Sequence, residues 1–286
     1  MAERRLPGLD WLNFFVADFQ TSFGPFISVY LTSTGWTQSA IGAALSTGTI
    51  ASMASQVPAG ALVDAIPSKR AVAAAAIAAI GVSAFAIALW PNFFAVTAAE
   101  ALHSFASAVL GPAIAAITLV LVDPAALGER LGRNARYAAI GNAVAAGLMG
   151  ACAYYFGDRA VFLFGAALTI PALAALKTLG AADRSPLRVR VPAQLRDRPW
   201  GFVTDRRLIA FATCAALFHL ANAAMMPITA AAVTKRAGSG AGLVVAACIV
   251  GPQFITALLS PWAGVAARWC GRGGIARCPP IPINCP

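Results

Sequence analysis

The sequence predicts an all-α protein built into a membrane. Of its 286 residues, 59% are hydrophobic and only 11% are charged, whereas soluble domains carry roughly 25% charged residues. The apolar residues gather in runs close to the roughly 20 needed to cross a bilayer core about 30 Å thick. The basic residues lie between those runs, not on a separate polar domain.

The apolar runs place spans over residues 9–31, 40–63, 71–89, 93–122, 137–156, 160–179, 208–233 and 243–266. The first follows a short basic N-terminus, Met1 to Arg5. It is too long for a signal peptide and is read as a retained span. The second and third are joined by the charged loop Asp64 to Arg70, and the Ala-rich third ends at the turn Trp90-Pro91-Asn92. The fourth leads into a segment holding Asp123, Glu129, Arg130, Arg133 and Arg136, and Gly157-Asp158-Arg159 turns the fifth into the sixth. Residues 181–207 then carry seven arginines among Pro186, Pro192 and Pro199. Proline at that density blocks a continuous helix, so this stretch reads as a hydrophilic linker before the seventh and eighth spans.

The positive-inside rule supports the span count. With the N-terminus inside, eighteen of the 21 Lys and Arg fall on the inner side, and only Arg159, Lys235 and Arg236 fall outside. The expectation is a multi-pass protein of a bacterial-type inner (plasma) membrane with a cytoplasmic N-terminus. The formal charge of +10 is thereby accounted for by loop anchors at the lipid surface, without a nucleic-acid partner.

Cys152, Cys214 and Cys248 lie within apolar runs and read as small core residues. Cys270, Cys278 and Cys285 lie in the tail, in no zinc-like spacing, and no histidine follows His219. No metal or cofactor is expected. Neither a nucleophile elbow nor a His-Glu-x-x-His pattern is present, so no enzyme is expected, and no phosphate-cradling loop provides for ATP.

Two weak internal correspondences suggest related halves. Gln20 and Pro25 match Asn222 and Pro227 at one offset, and Gly60 and Asp64 match Gly264 and Arg268 at nearly the same offset. Parallel repeats of this kind occur in transporters, with the substrate site between them. The loop after the second span reads Gly60-Ala61-Leu62-Val63-Asp64-Ala65-Ile66-Pro67-Ser68-Lys69-Arg70. It resembles the signature loop between the second and third helices of the major facilitator superfamily: Gly, three residues, Asp, then a basic cluster. Ala65 and Pro67 stand where the family usually has a basic residue and a second glycine. The resemblance covers residues from about 9 to 272 and is nearest to bacterial drug or sugar efflux members.

This resemblance implies an MFS-like six-helix N-terminal bundle over residues 1–180, the cytoplasmic basic linker 181–207, and the first two helices of a second bundle over 208–267. It also implies a secondary transporter that moves a small-molecule solute by alternating access, with proton-coupled efflux expected. The loop residues Gly60, Asp64, Lys69 and Arg70 would then act as a gating latch. Gly60 is expected to let helices approach closely. Glu100 stands where the family's fourth helix often has an Arg, and Gly141, Gly147 and Gly150 resemble the glycine-rich fifth-helix signature of antiporters, with close helix packing as the other reading.

Ionisable groups in the spans point to a pathway, because a charge at the bilayer centre costs roughly 2.5–3.5 kcal/mol. At about 1.5 Å per residue, Asp18 falls about 13 Å into its span, Glu100 about 10 Å, His103 about 15 Å and His219 about 16 Å. These four are expected to line a wet pathway, with Gln20, Asn142, Asn222 and Gln253 adding hydrogen bonds. Glu100 and His103, one turn apart, are placed to share a proton. The alternative is structural hydrogen bonding between helices, at about 1 kcal/mol each.

The Cys- and Pro-rich tail 268–286 is expected to be aberrant, as after a frameshift or premature stop, leaving about eight of twelve spans. On that expectation the chain needs an oligomer for transport, or is a non-functional or structural membrane fragment.

Overall fold

The computed structural model describes residues 6–23, 25–123, 126–179 and 241–270, with a few further positions between 206 and 218. All secondary structure among the described residues is helical: α1 (Pro7–Thr21), α2 (Pro25–Ser33), α3 (Gln38–Ala65), α4 (Lys69–Leu89), α5 (Phe93–Leu121), α6 (Leu127–Phe156), α7 (Asp158–Lys177) and α8 (Ala241–Cys270). Among them α4, α5, α6 and α7 are each long and apolar enough to cross a membrane. Most of the seventh span expected over 208–233, nearly all of the basic linker and residues 271–286 lie outside the described residues.

The helices begin and end where local chemistry dictates. Thr37, Ser68 and Asn92 cap α3, α4 and α5 by accepting from the amides of Ala40, Ala71 and Ala95 at 3.3, 3.2 and 2.9 Å. Each such cap is worth about 1 kcal/mol. Gly157, at φ +85, turns α6 into α7 with a backbone angle that glycine adopts without a Cβ penalty.

Two boundaries differ from expectation. The run 9–31 is two helices, α1 ending at Thr21 and α2 beginning at Pro25. Pro25 explains the break, since it has no amide to donate and disfavours helical geometry in the residue before it. The fifth span was expected to begin at Tyr137, but its helix α6 starts ten residues earlier, at Leu127. Arg130 and Arg133 therefore sit on a helix, where a buried carboxylate from α1 compensates them.

α1 lies against both α6 and α7, α4 joins α5 to α7, and α3 packs along α5. α8 packs extensively on α6 and touches α2. Its buried Ala246 and Ile249, with Val250 and half-buried Gln253, are spaced as one helical face. The core is filled by Phe19, Phe26, Phe162, Ile77, Ile80, Leu110 and their neighbours, all fully buried.

The two ends of the bundle differ chemically. At one end the aromatic residues Trp90, Phe93, Phe94, Tyr154, Tyr155 and Phe156 are exposed, and Trp36 stacks on Phe93 at 6.0 Å. At the other end lie Lys69, Arg70, Arg130, Arg133 and Lys177. An aromatic belt at one interface and cations at the other suit a bilayer between them.

Candidate functional site

The expected pathway residues fall into two groups. Asp18 is on α1, 3% exposed, where α1 meets α6. Its Oδ1 lies 3.0 Å from the point a Cβ on Gly141 would occupy, and the Phe14 carbonyl is nearer still. Only a glycine on α6 fits there, so Gly141 is a close-packing residue. One turn above Asp18, Thr21 donates to Asn142 Oδ1 at 3.0 Å. Asp18 and Asn142 thus share the α1–α6 seam, Gln20 is half-buried on α1, and Asp18 Oδ1 is buried without a hydrogen-bond partner.

Glu100 and His103 form the second group, on α5. Glu100 is 5% exposed and faces Gly48 of α3, with Oε2 2.9 Å from that glycine's Cβ position. His103 faces the break between α1 and α2. Its ring stacks on Phe23 at 3.7 Å and 1°, and its Nε2 pairs with Ser107 Oγ at 3.2 Å. Glu100 Oε1 and His103 Nδ1 are buried and have no hydrogen-bond partner. Among the described residues no hydrogen bond or ion pair joins Asp18, Glu100 and His103 to one another. Gln253 lies half-buried on α8, on the face toward α6, and His219 and Asn222 lie outside the described residues.

The signature loop closes around helix ends. Lys69 Nζ donates to the carbonyls of Val63, Ile66 and Asp64 at 2.5, 2.9 and 3.2 Å, a cation placed on the free carbonyls ending α3. Arg70 Nη2 donates to the Lys177 carbonyl at 3.3 Å, at the end of α7. Asp64 is exposed on the last turn of α3. Gly60 corrects the expectation of a close helix approach, since nothing lies within 4 Å of its Cβ position. Gly147 likewise faces open space.

A further cluster was not anticipated from sequence. Asp10, 2% exposed, sits in the first turn of α1. Arg130 Nη2 donates to its Oδ1 at 2.5 Å, and Arg133 donates to Oδ1 and Oδ2 at 3.0 and 2.6 Å. Arg130 Nε also donates to Asn134 Oδ1 at 2.9 Å, and Asn134 reaches Thr118 Oγ1 on α5 at 3.5 Å. The spacing of Arg130, Arg133 and Asn134 is that of one helix face. That signal was readable once the segment before Tyr137 is taken as helix. Asp10 at a helix N-terminus is also favoured by the dipole.

The sequence model of the Major Facilitator Superfamily matches residues 11–278. MFS-type transporters of Mycobacterium tuberculosis, from strain CDC 1551 / Oshkosh and strain ATCC 25618 / H37Rv, are each 36% identical over 273 residues, covering 92% of this chain. The chain spans 65% of the length of these relatives. The crystal structure of the nucleoside transporter NupG resembles it with a TM-score of 0.69, over 94% of this chain and 69% of that one, at 16% identity. At that identity the likeness concerns the fold, and it agrees with the six-span reading of α1 to α7. The chain belongs to the Major Facilitator Superfamily.

Proposed function

We propose that this chain forms part of a secondary transporter that carries a small solute across the inner membrane by alternating access, coupled to protons and directed outward. The observation that carries this reading is Glu100. A carboxylate 5% exposed, with an unpartnered oxygen on a helix apolar enough to span a bilayer, is too costly to keep for packing alone. A proton, gained and lost, neutralises it. His103, one turn on, has an unpartnered nitrogen of its own and can share that proton. Asp18 and Asn142 on the α1–α6 seam, Gln20 on α1, Gln253 on α8, and His219 and Asn222 beyond the described residues complete the proposed pathway. Family membership and the M. tuberculosis relatives support transport as the activity.

In this reading the N-terminus is cytoplasmic, residues 1–180 and 208–267 belong to two related bundles, and 181–207 links them. The loop from Gly60 to Arg70 gates the inner end. Lys69 and Arg70 would do so by holding the ends of α3 and α7 together.

The test uses inside-out vesicles that hold a pH gradient read by a quenched acridine dye. A solute exchanged for protons releases the quench. A response in the wild type that is lost in Glu100→Gln, with membrane insertion unchanged, supports the reading. An equal response in Glu100→Gln removes Glu100 from the coupling. A wild type silent to every solute while a related full-length transporter responds would count against proton coupling.

A further inference from the structure

Of the three arginines on α6, Arg130 and Arg133 pair with Asp10. Arg136 is exposed, and among the described residues it has neither a hydrogen bond nor an ion pair. α1, α7 and α8 pack on α6, and none places a carboxylate against it. Asp10 holds the other two arginines, Asp18 lies in the seam toward Gly141, and Asp158 begins α7 at the far end. α8 carries no acidic residue. On α6 itself Glu129 is seven residues before Arg136, about 10 Å along the axis. Arg130, Arg133 and Arg136 thus put three cations within two turns of one helix, and like charges at that spacing repel.

The neighbours of Arg136 set its direction. Gly141, five residues on, meets Phe14 and Asp18 of α1. Five residues turn a helix by about 140°, so Arg136 points away from α1. Gly147, eleven residues on, returns to the side of Arg136, and nothing lies within 4 Å of its Cβ position. Val144, Leu148 and Tyr154 are exposed around it. This outer face of α6 is apolar and, among the described residues, uncovered.

Depth follows from length. Arg136 is twenty residues before Phe156, roughly 30 Å along α6. Phe156 belongs to the exposed aromatic end, and about 30 Å is the thickness of the hydrocarbon core. Arg136 therefore lies where hydrocarbon gives way to headgroups at the basic end. Phosphate is the anion at that level, and the guanidinium fork matches its oxygens. A headgroup with an ammonium of its own would add a cation to a cluster already in cationic excess. A net-anionic headgroup would not.

We propose that Arg136, with Arg133 one turn before it, forms a site for the phosphate of an anionic phospholipid in the leaflet at the basic end, with an acyl chain along the outer face of α6. From Arg136 to Gly147 is about 16 Å, roughly half the core and so the depth of one leaflet. The site requires nothing of the solute, its direction or its coupling.

The experiment titrates the full chain in detergent with phosphatidylglycerol or phosphatidylcholine of matched acyl chains, and native mass spectrometry reads the bound lipid. The wild type is expected to retain phosphatidylglycerol in preference to phosphatidylcholine. Arg136→Gln is expected to bind phosphatidylglycerol about fivefold more weakly, the effect of one cation at an anionic surface, with phosphatidylcholine binding unchanged. Its Tm without added lipid should match the wild type, because Arg136 makes no contact that folding needs. Arg159→Gln, an exposed arginine at the aromatic end, is expected to bind as the wild type does. Equal phosphatidylglycerol binding by the wild type and Arg136→Gln overturns the proposal, as does an equal loss in Arg159→Gln. A wild type that does not distinguish the two lipids also overturns it. Displacement of phosphatidylglycerol by inorganic phosphate would make the ligand a free anion and overturn the lipid assignment. The last two readings need no variant, so they decide even if Arg136→Gln fails to fold.

Discussion

One buried aspartate holds two arginines, and this contact makes a sharp prediction. Asp10→Asn would leave Arg130, 3% exposed, without the carboxylate it pairs with and would remove the same carboxylate from Arg133. Breaking a buried pair in this way costs about 3–5 kcal/mol. The expected result is a large drop in Tm in detergent, read by thermal unfolding of the purified protein. Arg133→Gln removes a side chain that is 29% exposed, and solvent screening limits its loss to about 1 kcal/mol. Equal losses in the two variants would place the energy elsewhere than in Arg130. The glycines separate in the same way. Gly141→Ala would drive a methyl into the Phe14 carbonyl and Asp18, an overpacking cost of about 1–3 kcal/mol. Gly147→Ala meets nothing within 4 Å, so its stability stays within about 0.5 kcal/mol of the wild type. Gly141, Gly147 and Gly150, in the apolar part of α6, look alike in sequence. What distinguishes them is which face meets α1, and that depends on helix rotation, which apolar periodicity leaves open when nearly every residue is apolar.

At the level of the element, the break between α1 and α2 matters most for the candidate site. It places Phe23 in a turn, where its ring covers His103 and touches Phe162 edge-on at 6.3 Å. Ser22, fully buried, donates to the Phe19 carbonyl at 2.8 Å and fits against Gly165 of α7. Discontinuous spans of this kind often line binding sites in transporters. Phe23→Ala removes the stacked ring and costs about 0.5–1.5 kcal/mol beyond lost burial, whereas Phe23→Tyr keeps it. Thermal unfolding is expected to rank wild type and Tyr above Ala, and an Ala variant as stable as the wild type would mean that the stack is incidental. Pro25 was visible in the sequence, but proline within a span does not by itself announce a break. Pro58, Pro112 and Pro171 lie inside the continuous helices α3, α5 and α7. The α6 extension was missed for the opposite reason. Its polar residues read as a loop, because the compensating carboxylate lies 120 residues away on α1.

For the whole molecule, the fold was legible because lipid imposes it: long apolar helices between basic loops have few alternatives. Partners across seams were not legible, since Glu100 meeting Gly48 and Arg130 meeting Asp10 depend on three-dimensional packing. Orientation is the remaining property of the whole, and two independent features fix the expectation. The basic loops gather at the end where α3 joins α4, and the exposed aromatic residues at the end where α4 joins α5. If the basic end is cytoplasmic, as positive-inside bias requires, Pro67 faces the cytoplasm and Pro91 the opposite side. Both are exposed and lie outside helices, so neither change should disturb packing. In a background with the six native cysteines replaced, an impermeant maleimide on intact cells is expected to label Pro91→Cys at once, and Pro67→Cys only after permeabilisation. The reverse pattern would invert the orientation and put Lys69 and Arg70 on the outer face. Labelling of both from outside would mean that α4, 21 residues long, does not cross the membrane, and the six-span bundle would fall with it.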